Sequence, residues 1–262
     1  MLSTFYGDAA VGKEDTSSNW KLLSSSASIH HSYKNNSSLK KAGGLAEFVA
    51  VLEGDGLTFP AGISAADAAG LPLAGLTALQ AVKAIGTKFD GTDTGANILI
   101  TAASGGIGTY TVQLAKLGNS HVTATSGTRA TWISSEASAP SSDEVLDYTT
   151  QEGAAFKNQS GRKYDYTINI TKDGRRVQAD PEPWQASSCE NYLASVLTLF
   201  SRKKLSCMVM TMKREELKYL MELVKEGKLK TVINSRHTFE EAAQCLEEEY
   251  ERPCHREGYC GD

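Results

Sequence analysis

The stretch Ala103-Ser104-Gly105-Gly106-Ile107-Gly108 combines small residues in an order suited to binding a phosphate group. It follows an apolar run of strand length, Asn97 to Ala102, and precedes a run with helical spacing of apolar residues, Ile107 to Leu117. At such a junction the unpaired amides and the positive end of the helix dipole face an incoming anion. In loops of this kind one glycine permits a tight turn, another lets the backbone approach the phosphates, and the last lets the helix pack closely.

Ala103 stands where such loops have their first glycine. A glycine pattern by itself is also typical of a simple turn, but its place between a strand and a helix favours the pyrophosphate of a dinucleotide. A nucleotidase-type phosphate loop would need a Gly-Lys-Ser or Gly-Lys-Thr ending, which Gly108-Thr109-Tyr110 does not supply.

The residues after the next strand bear on which dinucleotide would bind. His121 to Thr125 is predicted to be that strand, and it starts about 24 residues after the first, as in a parallel crossover unit. NAD-binding folds usually place an acid at its end, against the ribose hydroxyls. Here Ser126 and Arg129 offer a hydroxyl and a guanidinium, which suit the 2′-phosphate of NADP. The alternative is an ordinary polar turn with a solvated arginine.

The elements around this loop predict an α/β fold, a doubly wound parallel sheet of Rossmann type. Ser64 and Asp67 form a capping-box pattern that opens a helix, and Pro72 is expected to break it. The other predicted elements are helices at Ala74–Ile85, Arg214–Glu226 and Thr238–Glu249, strands at Leu45–Val51, Glu144–Tyr148, Tyr164–Ile170 and Thr231–Ile233, and a loop at Thr171–Glu190.

Composition narrows the class of protein. A net charge of -4 gives no reason to expect nucleic acid as a partner, and no run approaches the roughly 18 apolar residues of a membrane span. Membrane association would therefore be peripheral. Five cysteines without dense spacing indicate a reducing compartment. The Ser-, Asn- and Lys-rich segment within residues 1–42 is predicted to be an unstructured leader, with a plastid-targeting peptide as the alternative.

Several segments together resemble a known family, the zinc-free, quinone-oxidoreductase-like medium-chain dehydrogenase/reductases, and especially their plant chloroplast-envelope homologues. The segments are Gly70–Ala81, Asn97–Gly108, Val112–Gly118, Asp143–Tyr148 and Leu223–Ile233. The resemblance extends over approximately Gly43–Glu249, with a gap at Thr171–Glu190. It implies a leader at 1–42, a remnant of a GroES-like substrate domain at 43–63, an NADP-binding Rossmann domain at 64–230, and a substrate-domain return segment with a divergent tail at 231–262.

The resemblance implies hydride transfer from NADPH to a quinone or an α,β-unsaturated carbonyl, without zinc. It assigns no catalytic residue. By position, it implies that Thr77 faces the nicotinamide and that Ser126, Arg129 and Tyr148 face the 2′-phosphate. The residues implied at the pyrophosphate are Ser104, Gly105, Gly106, Ile107 and Gly108. Thr77 is equally well interpreted as a core helix residue, and Tyr148 as an aromatic at a strand end. The resemblance also implies a chloroplast-envelope location, with the cytoplasm as the alternative.

The sequence departs from the family at both ends. Relatives begin with a substrate-binding domain of about a hundred residues, a normal domain size, most of which is expected to be absent here. The alternative function is therefore a catalytically impaired nucleotide-binding or subunit-interaction protein. The residues Pro253 to Asp262 suggest the hypothesis of a shifted reading frame in the gene. Homo-oligomerisation is left open by the sequence.

Overall fold

The fold is described from a computed structural model of the chain. It describes residues 9–13, 20–24, 57–58, 62–90, 92, 95–127, 142–170, 184–186, 208, 210–233, 236, 238 and 241. For the residues before 62 and for 184–186 only the backbone is described. These residues divide between two compact units, one within 74–230 and the other within 1–73 and 231–262. The domain boundaries given above remain predictions, and the predictions for Leu45–Val51, Arg129 and the C-terminal tail lie outside the described residues.

The unit within 1–73 and 231–262 contains a small antiparallel sheet. Its strands are β1 (Ala9–Lys13), β2 (Trp20–Ser24) and β3 (Leu57–Thr58), in that order. The first two lie within the segment predicted to be an unstructured leader, so that prediction is corrected for these residues. The prediction followed the polar composition of the segment as a whole, whereas each strand is a short run with apolar residues, such as Val11 opposite Leu22, and is held by backbone bonds to its neighbour.

The capping box at Ser64 is present and opens helix α1 (Ala65–Ala69). Ser64 Oγ accepts from the Asp67 amide at 3.1 Å, while the Asp67 carboxylate bonds the Ser64 hydroxyl instead of an amide. A π-helical turn, Leu71–Gly75, contains Pro72 and leads directly into α2 (Leu76–Ala84). Pro72 therefore interrupts the α-helical pattern without ending the helical path.

The unit within 74–230 is built on a five-stranded parallel sheet. In chain order its further elements are β4 (Asn97–Ile100), α3 (Gly106–Leu117), β5 (His121–Ser126), β6 (Glu144–Asp147), α4 (Gln151–Ala154), β7 (Tyr166–Ile168), β8 (Trp184–Ala186) and α5 (Arg214–Lys225). The strands lie in the order β6-β5-β4-β7-β8, and every pairing is parallel. The sheet is open, and this is the strand order of a Rossmann fold, which confirms the predicted class.

Strand β4 is the centre of the sheet and all four of its residues are buried. Its Leu99 packs with Leu146 on one face, and Phe156 and Tyr164 cover that cluster. Helices α2 and α3 pack against each other, and α5 packs against α2. The continuous apolar run that predicted β4 reflects this burial on both faces.

Two predictions in this part of the chain are wrong. The stretch Thr171–Glu190, predicted to be a loop, contains β8, which pairs with β7 through Trp184 opposite Tyr166. Three residues are too few to show a periodicity, so only the neighbouring strand reveals the element. The stretch Thr231–Ile233, predicted to be a strand, has no strand geometry. It is held instead by the Thr231 hydroxyl, which donates to the Asp67 carbonyl at 2.8 Å.

Candidate nucleotide-binding site

The loop between β4 and α3 makes its tight turn at Ala102. This residue has a φ of 50°, in the left-handed region that glycine adopts most easily. Its carbonyl oxygen accepts from the Gly105 amide at 3.0 Å, which closes the turn. The sequence pattern placed the missing glycine at Ala103, so the strained position lies one residue earlier than the pattern indicates.

Gly108 is the position where the helix approaches the loop most closely. A β-carbon there would lie 2.3 Å from the Ala102 oxygen and 2.6 Å from the Ala103 Cα, and both neighbours are backbone. Because backbone cannot be displaced as a flexible side chain can, only glycine fits. This geometry brings the start of α3 directly under the turn.

The first turn of α3 presents backbone donors with no side-chain cap. Gly105 is the N-cap residue, has extended backbone geometry, and makes no side-chain hydrogen bond to the helix. The first amides of a helix have no intrahelical acceptor, and the helix dipole adds positive charge at that end. A β-carbon at Gly106 would meet nothing within 4 Å, so the space beside this residue is open. Ser104 and Gly105 are exposed, and Ile107 is half-buried.

The turn is fastened to the strands on both sides of β4. Towards β5, the Ala102 amide donates to Thr125 Oγ1 at 3.2 Å and the Ala103 amide donates to the Thr125 carbonyl at 3.0 Å. Towards β7, Thr101 Oγ1 donates to Asn169 Oδ1 at 2.7 Å. Sequence reasoning missed Thr101, Thr125 and Asn169. The only signal was a polar residue at each strand end, and the strand register is needed to bring them together.

The residues proposed for the 2′-phosphate meet at the carboxyl ends of β5 and β6. The Tyr148 amide donates to the Ser126 carbonyl at 3.2 Å, and the Tyr148 ring lies against Gly127, where a β-carbon would be 3.1 Å from its hydroxyl. Ser126 is buried, whereas Tyr148 is 42% exposed, which is unusual for a large aromatic side chain among the described residues. Arg129 lies outside the described residues. Thr77 lies in α2, half-buried, on the helix that packs against α3.

A charged cluster lies at the amino ends of β5 and β6, the edge of the sheet opposite the glycine loop. Lys116 Nζ pairs with Asp143 at 2.8 Å, and His121 Nε2 lies 3.0 Å from Glu144 Oε1. Burial acts to raise the pKa of Asp143, but the bonds from Lys116 and from the Val122 amide outweigh it, so the pKa lies below the usual 3.8. Burial also acts to raise the pKa of Glu144, but hydrogen bonds from Ser160, His121 and the Gln159 amide outweigh it. The pKa of Glu144 is therefore lowered as well. These contacts tie α3 to the sheet.

The described part of the chain holds neither a cluster of metal ligands nor a helix that could span a membrane. There, no three His, Cys, Asp or Glu side chains gather as a metal site would require. All five cysteines lie beyond it. No helix within it is long and apolar enough to cross a membrane.

Known proteins are similar to this chain both in sequence and in fold. A family model described as zinc-binding dehydrogenase matches residues 141–248. The crystal structure of the quinone oxidoreductase from Thermus thermophilus, determined also in complex with NADPH, superimposes with a TM-score of 0.68 at 20% identity, covering 94% of this chain and 77% of that one. At this identity the likeness shows the fold alone, a Rossmann-type parallel sheet with helices.

Two plant proteins are more similar to this chain in sequence. The chain is 45% identical over 214 residues to the chloroplast envelope quinone oxidoreductase homologue of Arabidopsis thaliana, covering 76% of this chain and 63% of that protein. It is 44% identical over 218 residues to a chloroplastic quinone oxidoreductase of Triphysaria versicolor, covering 77% and 64%. Over the aligned residues, which make up about three quarters of this chain, the chain is similar to these chloroplast quinone oxidoreductase homologues. It spans a little under two thirds of the length of these relatives.

Proposed function

We propose that the protein is an NADPH-dependent oxidoreductase that reduces a quinone or an α,β-unsaturated carbonyl compound. The observation that carries the proposal is the uncapped start of α3, held under the Ala102 turn at the centre of a parallel sheet. In open α/β sheets, ligands bind at the carboxyl ends of the strands where the strand order reverses. That place is between β4 and β7, next to the glycine loop.

The choice of NADPH over NADH rests on the carboxyl ends of β5 and β6. Strand β5 ends in Ser126 and not in an acid, so this strand end itself carries no carboxylate to bond a ribose 2′-hydroxyl. The neighbouring β6 ends in Asp147, whose Oδ1 accepts from the amide and the hydroxyl of Thr149. The exposed Tyr148 offers a phenolic hydroxyl beside Gly127. Arg129 would add a guanidinium, the side chain best suited to a phosphate.

The protein's share of the chemistry is to bind and orient. A bound nicotinamide would supply the hydride, which passes to the substrate carbon while a proton from solvent completes the reduction. The amides of Gly106, Ile107 and Gly108 would hold the pyrophosphate through hydrogen bonds to its oxygens. Thr77 would contact the nicotinamide half. Zinc is not part of the proposal.

The test is a titration of the purified full chain with NADPH and with NADH, followed by an assay of quinone and enone reduction. Gly106→Val is the decisive variant, because a β-carbon there meets nothing within 4 Å in the protein. The added side chain would stand beside the amides proposed to bind the pyrophosphate. The variant should fold like the wild type and lose NADPH binding. Gln151→Val is the matched control, because Gln151 is the exposed first residue of another helix, α4.

The titration and the assay distinguish an enzyme from a protein that only binds the nucleotide. Tighter binding of NADPH than of NADH, with turnover that Gly106→Val abolishes, supports the proposal. Binding without turnover supports instead a nucleotide-binding or subunit-interaction protein. A folded wild-type chain that binds neither dinucleotide at millimolar concentration refutes both.

The location is part of the proposal. The relatives are named as chloroplast proteins, one of them of the envelope, which supports a plastid location for this chain. Fractionation of plant cells that express the full chain, into cytosol, plastid stroma and plastid envelope, tests it. Recovery with the envelope, released by high salt, would support peripheral association, and recovery in the cytosol alone would refute a plastid location.

A further inference from the structure

The crevice at the switch point is crossed by a side-chain bridge that joins the ends of β4 and β7. Thr101 Oγ1 donates to Asn169 Oδ1 at 2.7 Å and accepts from the Ile170 amide at 3.1 Å. The Thr101 amide also donates to the Ile168 carbonyl at 3.1 Å. A threonine hydroxyl has one proton to donate, and this network uses it on Asn169, so the orientation of the Asn169 amide group is fixed.

A second attachment holds the same loop from the other side. Thr125, at the end of β5, accepts the Ala102 amide with its hydroxyl and the Ala103 amide with its carbonyl. Thr101 is 3% exposed and Thr125 is 2% exposed, so water does not compete for these bonds. The glycine loop is thus fastened at consecutive residues to both neighbours of β4.

The fastening holds a conformation that alanine does not favour. Ala102 lies between the two attachments with a φ of 50°. An L-residue in the left-handed region costs roughly 1–2 kcal/mol. Without these two attachments, the Gly105 amide bond to the Ala102 carbonyl is the local contact that holds this conformation, and the direction of the following amides depends on it. Such strain persists where neighbouring contacts over-determine it, and it is often found at ligand sites.

We infer that Thr101, Thr125 and Asn169 are positioning residues for the dinucleotide, which hold the glycine loop in the shape that binds the pyrophosphate. The inference rests on the proposed function and deepens it. These side chains act through the loop, by setting the direction of its amides. The cost of losing one attachment should therefore fall on ligands that carry a 5′-pyrophosphate. It should not fall on a ligand held only by the ends of β5 and β6.

The experiment compares two ligands across four variants. Thr101→Val keeps the shape of the side chain and removes the hydroxyl, whereas Thr101→Ser keeps the hydroxyl and should rescue binding. Asn169→Ala removes the same bond from a half-buried position, and so tests the inference even where Thr101→Val does not fold. Thr167→Val is the matched control. Thr167 is fully buried in β7, next to Ile168, and its hydroxyl has no hydrogen-bond partner in the described structure.

The ligands are NADPH and adenosine 2′-monophosphate, which carries no 5′-phosphate, with dissociation constants measured by fluorescence and by displacement. In Thr101→Val and Asn169→Ala, NADPH binding should weaken about fivefold to tenfold, as the loss of one or two buried hydrogen bonds implies. Binding of adenosine 2′-monophosphate should not change. Thr101→Ser and Thr167→Val should bind both ligands as the wild type does.

Two results overturn the inference while leaving the proposed function intact. One is wild-type NADPH affinity in both Thr101→Val and Asn169→Ala. The other is an equal loss for both ligands, which would indicate general loosening of the fold. A wild-type chain that binds neither NADPH nor NADH is a different result, because it refutes the proposed function and this inference together.

Discussion

Gly108 lies so close beneath Ala102 that a β-carbon on it would be 2.3 Å from the Ala102 carbonyl oxygen. The first turn of α3 therefore packs directly against the turn after β4, with no room for a side chain between them. Everything that the loop presents to a ligand depends on this approach.

Gly108→Ala should therefore destabilise the protein. The added carbon must displace backbone, and overpacking of this kind costs about 1–3 kcal/mol or more. Urea unfolding measures the change. Gly106→Ala is the control, because its β-carbon meets open space and alanine favours a helix. Equal stability of the two variants would contradict the close approach.

Ala102→Gly should have the opposite effect. Glycine adopts a φ of 50° without steric cost, and relief of the strain should exceed the added freedom of the unfolded chain by about 0.5–1 kcal/mol. Thermal unfolding would show the gain as a higher Tm. A lower Tm for Ala102→Gly would mean that the left-handed geometry at this residue is not strained.

Gln113→Leu should be among the more destabilising changes in α3. Gln113 is 1% exposed; its Oε1 accepts from the Lys230 amide at 2.8 Å and its Nε2 donates to the Lys230 carbonyl at 2.9 Å. Leucine fills the space but leaves both backbone groups unpaired, at a cost of about 2–4 kcal/mol. The same replacement at exposed Gln151 serves as the reference in urea unfolding. A loss of stability no larger at Gln113 than at Gln151 would rule out the pair of hydrogen bonds to Lys230.

Stability should fall in acid through the cluster at Asp143. Its folded-state pKa is lowered, so the unfolded state takes up protons first as the pH decreases. The stabilisation is present above the usual carboxyl pKa of 3.8 and is lost as the pH falls below it, through the lower folded-state value. Urea unfolding from pH 7 to pH 3 should show a shallower acid loss in Asp143→Asn than in the wild type. If the stability of the two proteins fell equally with pH, Asp143 would not be a cause of the acid loss.

The elements that the sequence predicts correctly are those in which local sequence pattern and tertiary packing agree. Strand β4 is buried on both faces, so its apolar run signals a strand without knowledge of its neighbours. Helix α3 begins at a glycine loop and ends at Gly118, and α5 shows a clear apolar stripe through Leu217, Leu220 and Met221. The glycine loop and its place between β4 and α3 follow from the same signals.

What could not be predicted depends on pairing between distant segments. Strand β8 has three residues and exists through its pairing with β7. Thr101 and Asn169 are 68 residues apart, and their bond depends on the register that places Ile100 beside Ile168. The left-handed conformation of Ala102 could not be predicted either, because an alanine gives no sign of it in the sequence.

The central position of β4 has a consequence for how the binding crevice comes into existence during folding. The contact from Ala102 to Thr125 closes a segment of 23 residues, whereas the contact from Thr101 to Asn169 must close 68. Longer closures cost more chain entropy, and contacts between distant residues slow folding. We therefore expect the half of the crevice beside β5 to assemble first and the half beside β7 to complete it. Acquisition of nucleotide affinity would then follow collapse of the core and would mark the last stage of maturation of this unit.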